Sequence, residues 1–510
     1  MGGVALAVDQ GSSSSRCLAL GPGMEVLGFG TSPLSSSYPY PGHAEHDADE
    51  ITSSVLGAVA TAMAQAGVSW SDIAGIGLTA QTETFVVWDR VTGRPVYPAI
   101  SWRDGRADGL CKRLRAAGHT REVRRRTGLP LQPAFSASKL RWLLDHVDAG
   151  QRRANAGDLL FGDVNCWLAW NLSGGTAHVT DPSMAARTML FSLADLAWDS
   201  ELMSMFGIPE QMLPEVRPTV SRLAVTDPAV CGGRATVSAA IGDQQAALFG
   251  QRCWEAGLAK LTLGTGAFLW CHAGSSPVTA LPDGVVSSCA WQLPDGPAYA
   301  LEGFVPNAGA VAAWLRRLGL LGAEDWPVIR SGALEQAAQT GGAGLWCVPA
   351  LSGLGTPYWS ATVHADIFGL TANSTAADLT EATLLGAAHQ IADAADALRG
   401  GLETPLRAIR VDGGMSRNDS LLQALADLCG TALERTKAAE ATALGAGALA
   451  GLGGELWDRE SLEQMLSGAA APTATVEPRL SPEARKNVRM AWQVVLERSL
   501  ASCRGGDEPQ

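Results

Sequence analysis

The residues best suited to chemistry come early. Asp9 closes an apolar run, Val4 to Val8, and is followed by Gln10, Gly11, four serines and Arg16 before a second apolar run begins at Cys17. A carboxylate at the base of a hairpin, with hydroxyls, free backbone N–H groups and a guanidinium at its tip, suits a phosphate and a metal ion beside it. Two more glycine turns follow strand-like runs, Gly264-Thr265-Gly266 and Asp412-Gly413-Gly414. One glycine after a strand is usually only a turn. Three in this order make a pattern, because glycine lets a backbone come close enough to aim N–H groups at phosphate oxygens. Just before the second turn, Gly242-Asp243-Gln244-Gln245 adds another carboxylate. Beside a phosphate that acid must bind metal or take up a proton, and both serve phosphoryl transfer.

Positioning such groups needs a scaffold. Strand-like runs alternate with amphipathic helices along the whole chain, which reads as α/β. Residues 4–8, 17–20 and 26–30 form a strand meander. In residues 50–66, Ile51, Val55, Val59 and Met63 recur four apart and Gly67 follows, predicting a helix with one buried stripe. Residues 73–81 return as a strand. The second half repeats the grammar: 261–270 reads strand, glycine turn, strand, and 408–416 delivers a strand into a glycine turn. A helix is predicted from Ser416 to Gly430, with Ser416 and Asp419 spaced as a capping box. Two halves, each opening with a polar-tipped hairpin, indicate a duplicated domain with a cleft between. The division is placed at 1–250 and 251–500, with 501–510 a frayed tail.

The net charge of −13 and pI near 5.1 over 510 residues argue against nucleic acid or an anionic membrane as partner. No apolar run reaches the ~20 residues of a membrane span. The start lacks a signal-peptide pattern, and the ten cysteines include no C-x-x-C pair, so reduced thiols in a cytoplasmic protein are expected. No lysine precedes Ser or Thr, which excludes a P-loop. Gly75-Ile-Gly77-Leu-Thr-Ala80 imitates a dinucleotide fingerprint, but the TETFVVW after it is strand-like where that motif needs a helix. His43, Glu45, His46 and Asp47 read as a structural turn for want of a third ligand cluster. The basic run 121–126 reads as a solvated helix face.

Beyond these local signals, the chain resembles the FGGY family of carbohydrate kinases, and within it the glycerol kinases, over nearly its whole length. The stretches that carry the resemblance include DQGSSSSR, YPGHAEHD, HVTDPSMAARTMLF, GDQQAALFGQ, LGTGAF, ALEG, VPALSGLGTPYW, VDGGMSRND and ATALGAGALAGL. The resemblance implies two ribonuclease-H-like domains of the actin/Hsp70/sugar-kinase type closing over a cleft, with ATP and Mg²⁺ as cofactors. By position, Asp9 resembles the acid that holds Mg²⁺ through water, with Asp243 beside it as a second metal-facing carboxylate. Ser12, Ser13 and Arg16 would face the β- and γ-phosphates, and Gly264, Thr265 and Gly266 the second phosphate turn. Gly309, Gly414, Met415 and Asn418 would line the adenosine pocket. Asp243 resembles the general base; Glu83, Trp102, Gln244 and Phe268 resemble the acceptor pocket. A homodimer or homotetramer is the family's habit.

Two positions depart from the glycerol kinases. Thr82 stands where they carry an arginine, immediately before Glu83, and Ala134 where they carry a tyrosine. A charge-assisted hydrogen bond contributes about 1.5–3 kcal/mol, and a ligand as small as glycerol has few to lose. Both changes replace large residues by small ones. The expectation is therefore an ATP-dependent kinase for a polyol or small sugar bulkier than glycerol, such as a tetritol, tetrulose, pentitol or cyclitol. Glycerol itself is the alternative acceptor, with Arg103 or Arg106 reaching in to restore the charge. A non-catalytic nucleotide-binding relative is the alternative of another class, opposed by the retention of both Asp9 and Asp243. Gly232 and Arg234 match a loop where some relatives bind fructose 1,6-bisphosphate.

Overall fold

The computed structural model describes residues 3–323, 325–341, 343–436, 440–469 and 471–504. Two sheets organise it. The first has six strands in the order Val220–Val225, Thr236–Gly242, Ile73–Ala80, Val4–Gln10, Ser14–Leu20 and Val26–Pro33. The second has seven: Val286–Leu293, Gly296–Val305, Ala267–Gly274, Leu258–Leu263, Ala408–Asp412, Ala432–Thr436 and Pro472–Val476. The two share a plan. Val4–Gln10 pairs antiparallel with Ser14–Leu20 and parallel with Ile73–Ala80. Leu258–Leu263 likewise pairs antiparallel with Ala267–Gly274 and parallel with Ala408–Asp412.

Strands covered on both faces read as continuous apolar runs, and Val4–Gln10 is buried throughout. Its alternate residues enter different cores. Val4, Leu6 and Val8 pack with Ile51, Val55 and Val59 of the helix Ala48–Ala66. Ala5 and Ala7 face Ala443, Ala446 and Ala450 of the helix Ala441–Gly453, which comes from the second half of the chain and lies across the first sheet. The approach is close. A Cβ on Gly77 would lie 2.2 Å from the Ala446 carbonyl oxygen, and one on Gly445 1.9 Å from that of Ala246.

The helix predicted over 50–66 starts at Ala48, because the Asp47 carboxylate caps the N–H groups of Asp49 and Glu50; Gly67, at φ 66°, ends it. The helix predicted from Ser416 starts later. Gly414–Arg417 is a 3₁₀ turn in which Ser416 Oγ donates to the Gly413 carbonyl, so the capping box does not form and Asn418 caps Asp419–Cys429 instead. The basic run forms the helix Thr120–Thr127 and is not simply solvated: Arg124 reaches the carbonyls of Leu281, Pro282 and Val285, and Arg126 pairs with Glu122, Asp199 and Glu201. Glu45 pairs with Arg106, His46 bonds to the Ser35 carbonyl and Asp47 is a cap, as a structural turn requires. Residues 501–504 continue the helix Pro482–Arg504 where a frayed tail was expected; residues 505–510 lie outside the described residues. No helix among the described residues is long and apolar enough to cross a membrane.

Candidate active site

Parallel pairing gathers the chemistry at one edge. The register aligns Gln10 with Ala80 and Gly242 with Ala80, so Asp9, the segment Gln81–Glu83 and Asp243 all emerge at the carboxyl ends of three adjacent strands. In the second sheet Thr262 aligns with Asp412, which sets the turns 264–266 and 413–415 side by side.

Between the sheets lies a cavity of about 250 Å³. Thr82, Glu83, Trp102, Ala134, Asp243, Gln244 and Phe268 all line it, as does Ser12. Glu83 follows its strand at φ 62°, a left-handed conformation that costs a non-glycine residue about 1–3 kcal/mol and persists only where its surroundings impose it. What imposes it is buried. Lys139 Nζ donates to the carbonyls of Glu83 at 3.3 Å, Ser101 at 2.9 Å and Ala134 at 2.6 Å. One ammonium thus pins three wall segments, those of Glu83, Trp102 and Ala134. Burial pushes its pKa down to about 7, against the pull of Glu83 and Asp104.

An arginine does stand beside Glu83, from an unexpected place. Arg187 Nε donates to Glu83 Oε1 at 2.6 Å, while Thr82 Oγ1 donates to Oε2 at 2.8 Å. Its guanidinium lies 5.4 Å from the ring centres of both Phe135 and Trp270, and Nη1 is 2.8 Å from Glu302 Oε2 in the second half. Burial works against this cation, but the carboxylates of Glu302 and Glu83 outweigh it and raise its pKa. Arg103 and Arg106 do not take the part expected of them. Arg106 is held by Asp104 and Glu45, and Arg103 lies over the Trp102 ring. Phe304 and Trp359 complete the wall, with Phe304 packed on Phe268 at 4.8 Å.

Asp9 faces Arg16 across the first hairpin. Burial and the charge of Asp243 raise its pKa to about 7, opposed by Arg16. Asp243 opens the helix Asp243–Gly250 and accepts the Gln244 N–H at 2.7 Å. Burial, then Glu83, raise it to about 6, opposed by Lys260, that N–H group and Arg187. Two carboxylates raised in this way fit a divalent cation. Among the described residues no group of three or more His, Cys, Asp or Glu side chains could hold one, so the remaining ligands would be water and phosphate oxygens, as is usual for Mg²⁺. Lys260, fully buried, links the groups: Nζ donates to Gln244 Oε1 and to Thr262 Oγ1, with Asp412, Asp243 and Glu302 around it.

The glycine turns converge. Gly309 N–H donates to the Gly264 carbonyl at 2.9 Å, the Ala308 and Ala310 N–H groups to that of Thr265. A Cβ on Gly309 would lie 2.4 Å from the Gly264 carbonyl oxygen and 3.4 Å from Met415 Sδ; one on Gly414 would meet nothing within 4 Å. Gly264, Thr265, Gly266, Gly309, Gly414 and Met415 thus form one cradle. Asn418 adjoins it, but its amide is committed to the helix cap and to the Pro327 carbonyl. Ser12 and Ser13 sit at the opposite hairpin, and Arg16 Nη1 is 3.1 Å from Glu440 Oε2. Gly232 and Arg234 lie elsewhere, with Arg234 lining a separate groove of about 530 Å³.

Two duplicated α/β halves, phosphate-suited glycine turns in each and an acid at the head of a cavity lined by both define a two-domain phosphotransferase. The FGGY family of carbohydrate kinases matches through its N-terminal domain at residues 4–250 and its C-terminal domain at 259–453. The chain belongs to this family and is an ATP-dependent carbohydrate kinase of the glycerol-kinase-like kind. It is 42% identical to a glycerol kinase of Halorhodospira halophila, over 97% of this chain and 96% of the relative. It is 40% identical to that of Bacillus subtilis, over 97% and 99%. Among solved structures it is similar to Plasmodium falciparum glycerol kinase with ADP, at a TM-score of 0.88 and 30% identity over 98% of each chain. A xylulose kinase from Lactobacillus acidophilus, at 0.82 and 21%, shares the fold.

Proposed function

We propose that this protein transfers the γ-phosphoryl group of ATP to a terminal hydroxyl of glycerol. The observation that carries the reading is Arg187. With its guanidinium on Glu83, the cavity regains the cation that Thr82 does not provide, while Glu83, Trp102, Asp243, Gln244 and Phe268 stand together around it. The glycerol kinases at about 40% identity support the same acceptor.

In this reading Trp102 and Phe268 pack the carbon chain, and Glu83 and Gln244 orient hydroxyls. Asp243 accepts the proton of the attacking hydroxyl as it is lost. Ser12, Ser13, Arg16 and the turn 264–266 hold the phosphates; Gly309, Gly414 and Met415 flank the adenosine, with Asn418 shaping that wall as a cap. Asp9, with Asp243 beside it, would hold Mg²⁺, which supplies charge neutralisation for the phosphates. Lys260 keeps Gln244 in place. Closure of the two halves over the cavity would keep water from becoming the acceptor.

A second reading, a longer polyol or ketose, is favoured by one observation. At roughly 30 Å³ per water molecule, the 250 Å³ cavity has room for about eight, more than the six non-hydrogen atoms of glycerol occupy, and both Thr82 and Ala134 are in its wall. Steady-state rates with glycerol, erythritol, erythrulose, xylitol and inositol separate the two. The first reading expects the highest kcat/KM on glycerol; a tetritol or pentitol preferred by tenfold or more contradicts it in favour of the second.

A further inference from the structure

We propose that Trp359 packs against the carbon chain of the acceptor and is the residue of the second half that limits how long an acceptor the cavity takes. This rests on the reading of that cavity as the acceptor site. Trp359 lines it together with Ala134, Phe135, Val286 and Phe304.

The indole is firmly held. Trp359 has φ 45°, a left-handed conformation that a bulky residue keeps only where its surroundings impose it. Its backbone N–H donates to the Gly355 carbonyl at 2.8 Å, and its indole Nε1 donates to the Gly284 carbonyl at 2.6 Å. The ring lies 6.4 Å from that of Phe304, tilted by 35°. It packs against the apolar cluster that contains Val286 and, from the first half, Phe135. Trp88, Trp167, Trp270 and Trp492 are fully buried in the cores, whereas Trp359 is half-buried and keeps surface at the cavity. With Nε1 committed to Gly284, what the indole offers there is apolar ring.

Ala134, beside Phe135, is the complement. Lys139 Nζ fixes its carbonyl at 2.6 Å, so this wall segment is anchored, and its side chain contributes only a methyl group. Space at Ala134 and ring surface at Trp359 therefore border the same cavity. A carbon chain lying there removes the indole from water and gains with each C–H group it covers. Its hydroxyls stay free to turn towards Glu83, Asp243 and Gln244. The ligand class is an open-chain polyol, and the same rigid ring that packs a short chain obstructs a longer one.

The test is a cycle between the two wall positions. Rates on glycerol, erythritol and xylitol are measured for wild type, Trp359→Ala, Trp359→Phe, Ala134→Tyr and the double variant of Ala134→Tyr with Trp359→Ala. KM for ATP is recorded throughout. Trp359→Ala is expected to raise KM for glycerol about tenfold, through lost apolar contact, with KM for ATP unchanged. It also improves xylitol relative to glycerol by about tenfold. Trp359→Phe, which keeps a ring and loses the Gly284 bond, shifts both in the same direction by less, and reads the effect even if Trp359→Ala does not fold. Ala134→Tyr alone crowds the indole and lowers kcat/KM, but beside Trp359→Ala it refills the space and recovers most of the KM for glycerol. A tryptophan with a merely structural role gives no such reversal. Effects that simply add in the double variant, or a loss equal on all three acceptors or shared with ATP, overturn the inference while the glycerol reading stands. A wild type inactive on every polyol overturns both.

Discussion

At Asp243, burial and the Glu83 carboxylate raise the pKa to about 6, against Lys260, the Gln244 N–H and Arg187. A base must be ionised to accept a proton. Below pH 6 the acid form dominates and kcat/KM for the acceptor falls about tenfold per pH unit; above it the rate levels off. A profile from pH 5 to 8 checks this, and a rate that rises as pH falls contradicts it. Asp243→Asn removes the proton acceptor and is expected to lower kcat by about 10²–10⁴-fold. Asp9, Ser12, Ser13 and Asp243 were legible because each lies within a few residues of a glycine turn, whereas Glu83 was legible only through the family resemblance. Arg187 and Glu302 were not. Each sits in a stretch that resembles the family, RTMLF and ALEG, yet nothing in the local spacing says that an arginine at 187 meets a glutamate at 83. That meeting is made by tertiary packing between Phe135 and Trp270.

Among the elements, the wall segments and turns carry separate tasks, and substitutions separate them. Lys139→Met leaves the carbonyls of Glu83, Ser101 and Ala134 without their shared donor. A buried polar group deprived of its partner costs about 1–3 kcal/mol. KM for the acceptor is expected to rise at least tenfold with KM for ATP unchanged, and thermal melting drops. Gly309→Ala does the reverse. Its Cβ would come to 2.4 Å from the Gly264 carbonyl oxygen, displacing the second turn, so KM for ATP rises tenfold or more while the acceptor constant moves little. Initial rates with each substrate varied in turn measure both. At this scale the strands and the helix over 48–66 were legible from periodicity and caps. The late start of Asp419–Cys429 was not, because Ser416 has a competing partner in the Gly413 carbonyl and Asn418 is as good a cap.

For the whole molecule, the two halves meet at a cleft bridged by Arg187–Glu302, while Arg16 of the first hairpin pairs with Glu440 at the head of the helix Ala441–Gly453 that packs on the first sheet. The repeated hairpin plan was legible as two polar-tipped hairpins far apart in the chain. The packing of Ala441–Gly453 on the first sheet was not, since the Gly/Ala pattern of that helix does not say which small-residue surface it meets. Arg16 and Glu440 are partly exposed, at 42% and 33%, so their pair contributes little. Glu440→Gln frees Arg16 for phosphate and is expected to lower KM for ATP, by no more than about fivefold, in the same assay.

The central claim is that the cleft phosphorylates glycerol with Asp243 as base. ADP release by the purified protein with Mg²⁺ and ATP, with and without glycerol, tests it most directly. Release is expected to depend on glycerol, to yield one glycerol phosphate per ADP and to fall away in Asp243→Asn. ADP released equally with and without an acceptor, or glycerol turned over undiminished by Asp243→Asn, would contradict it.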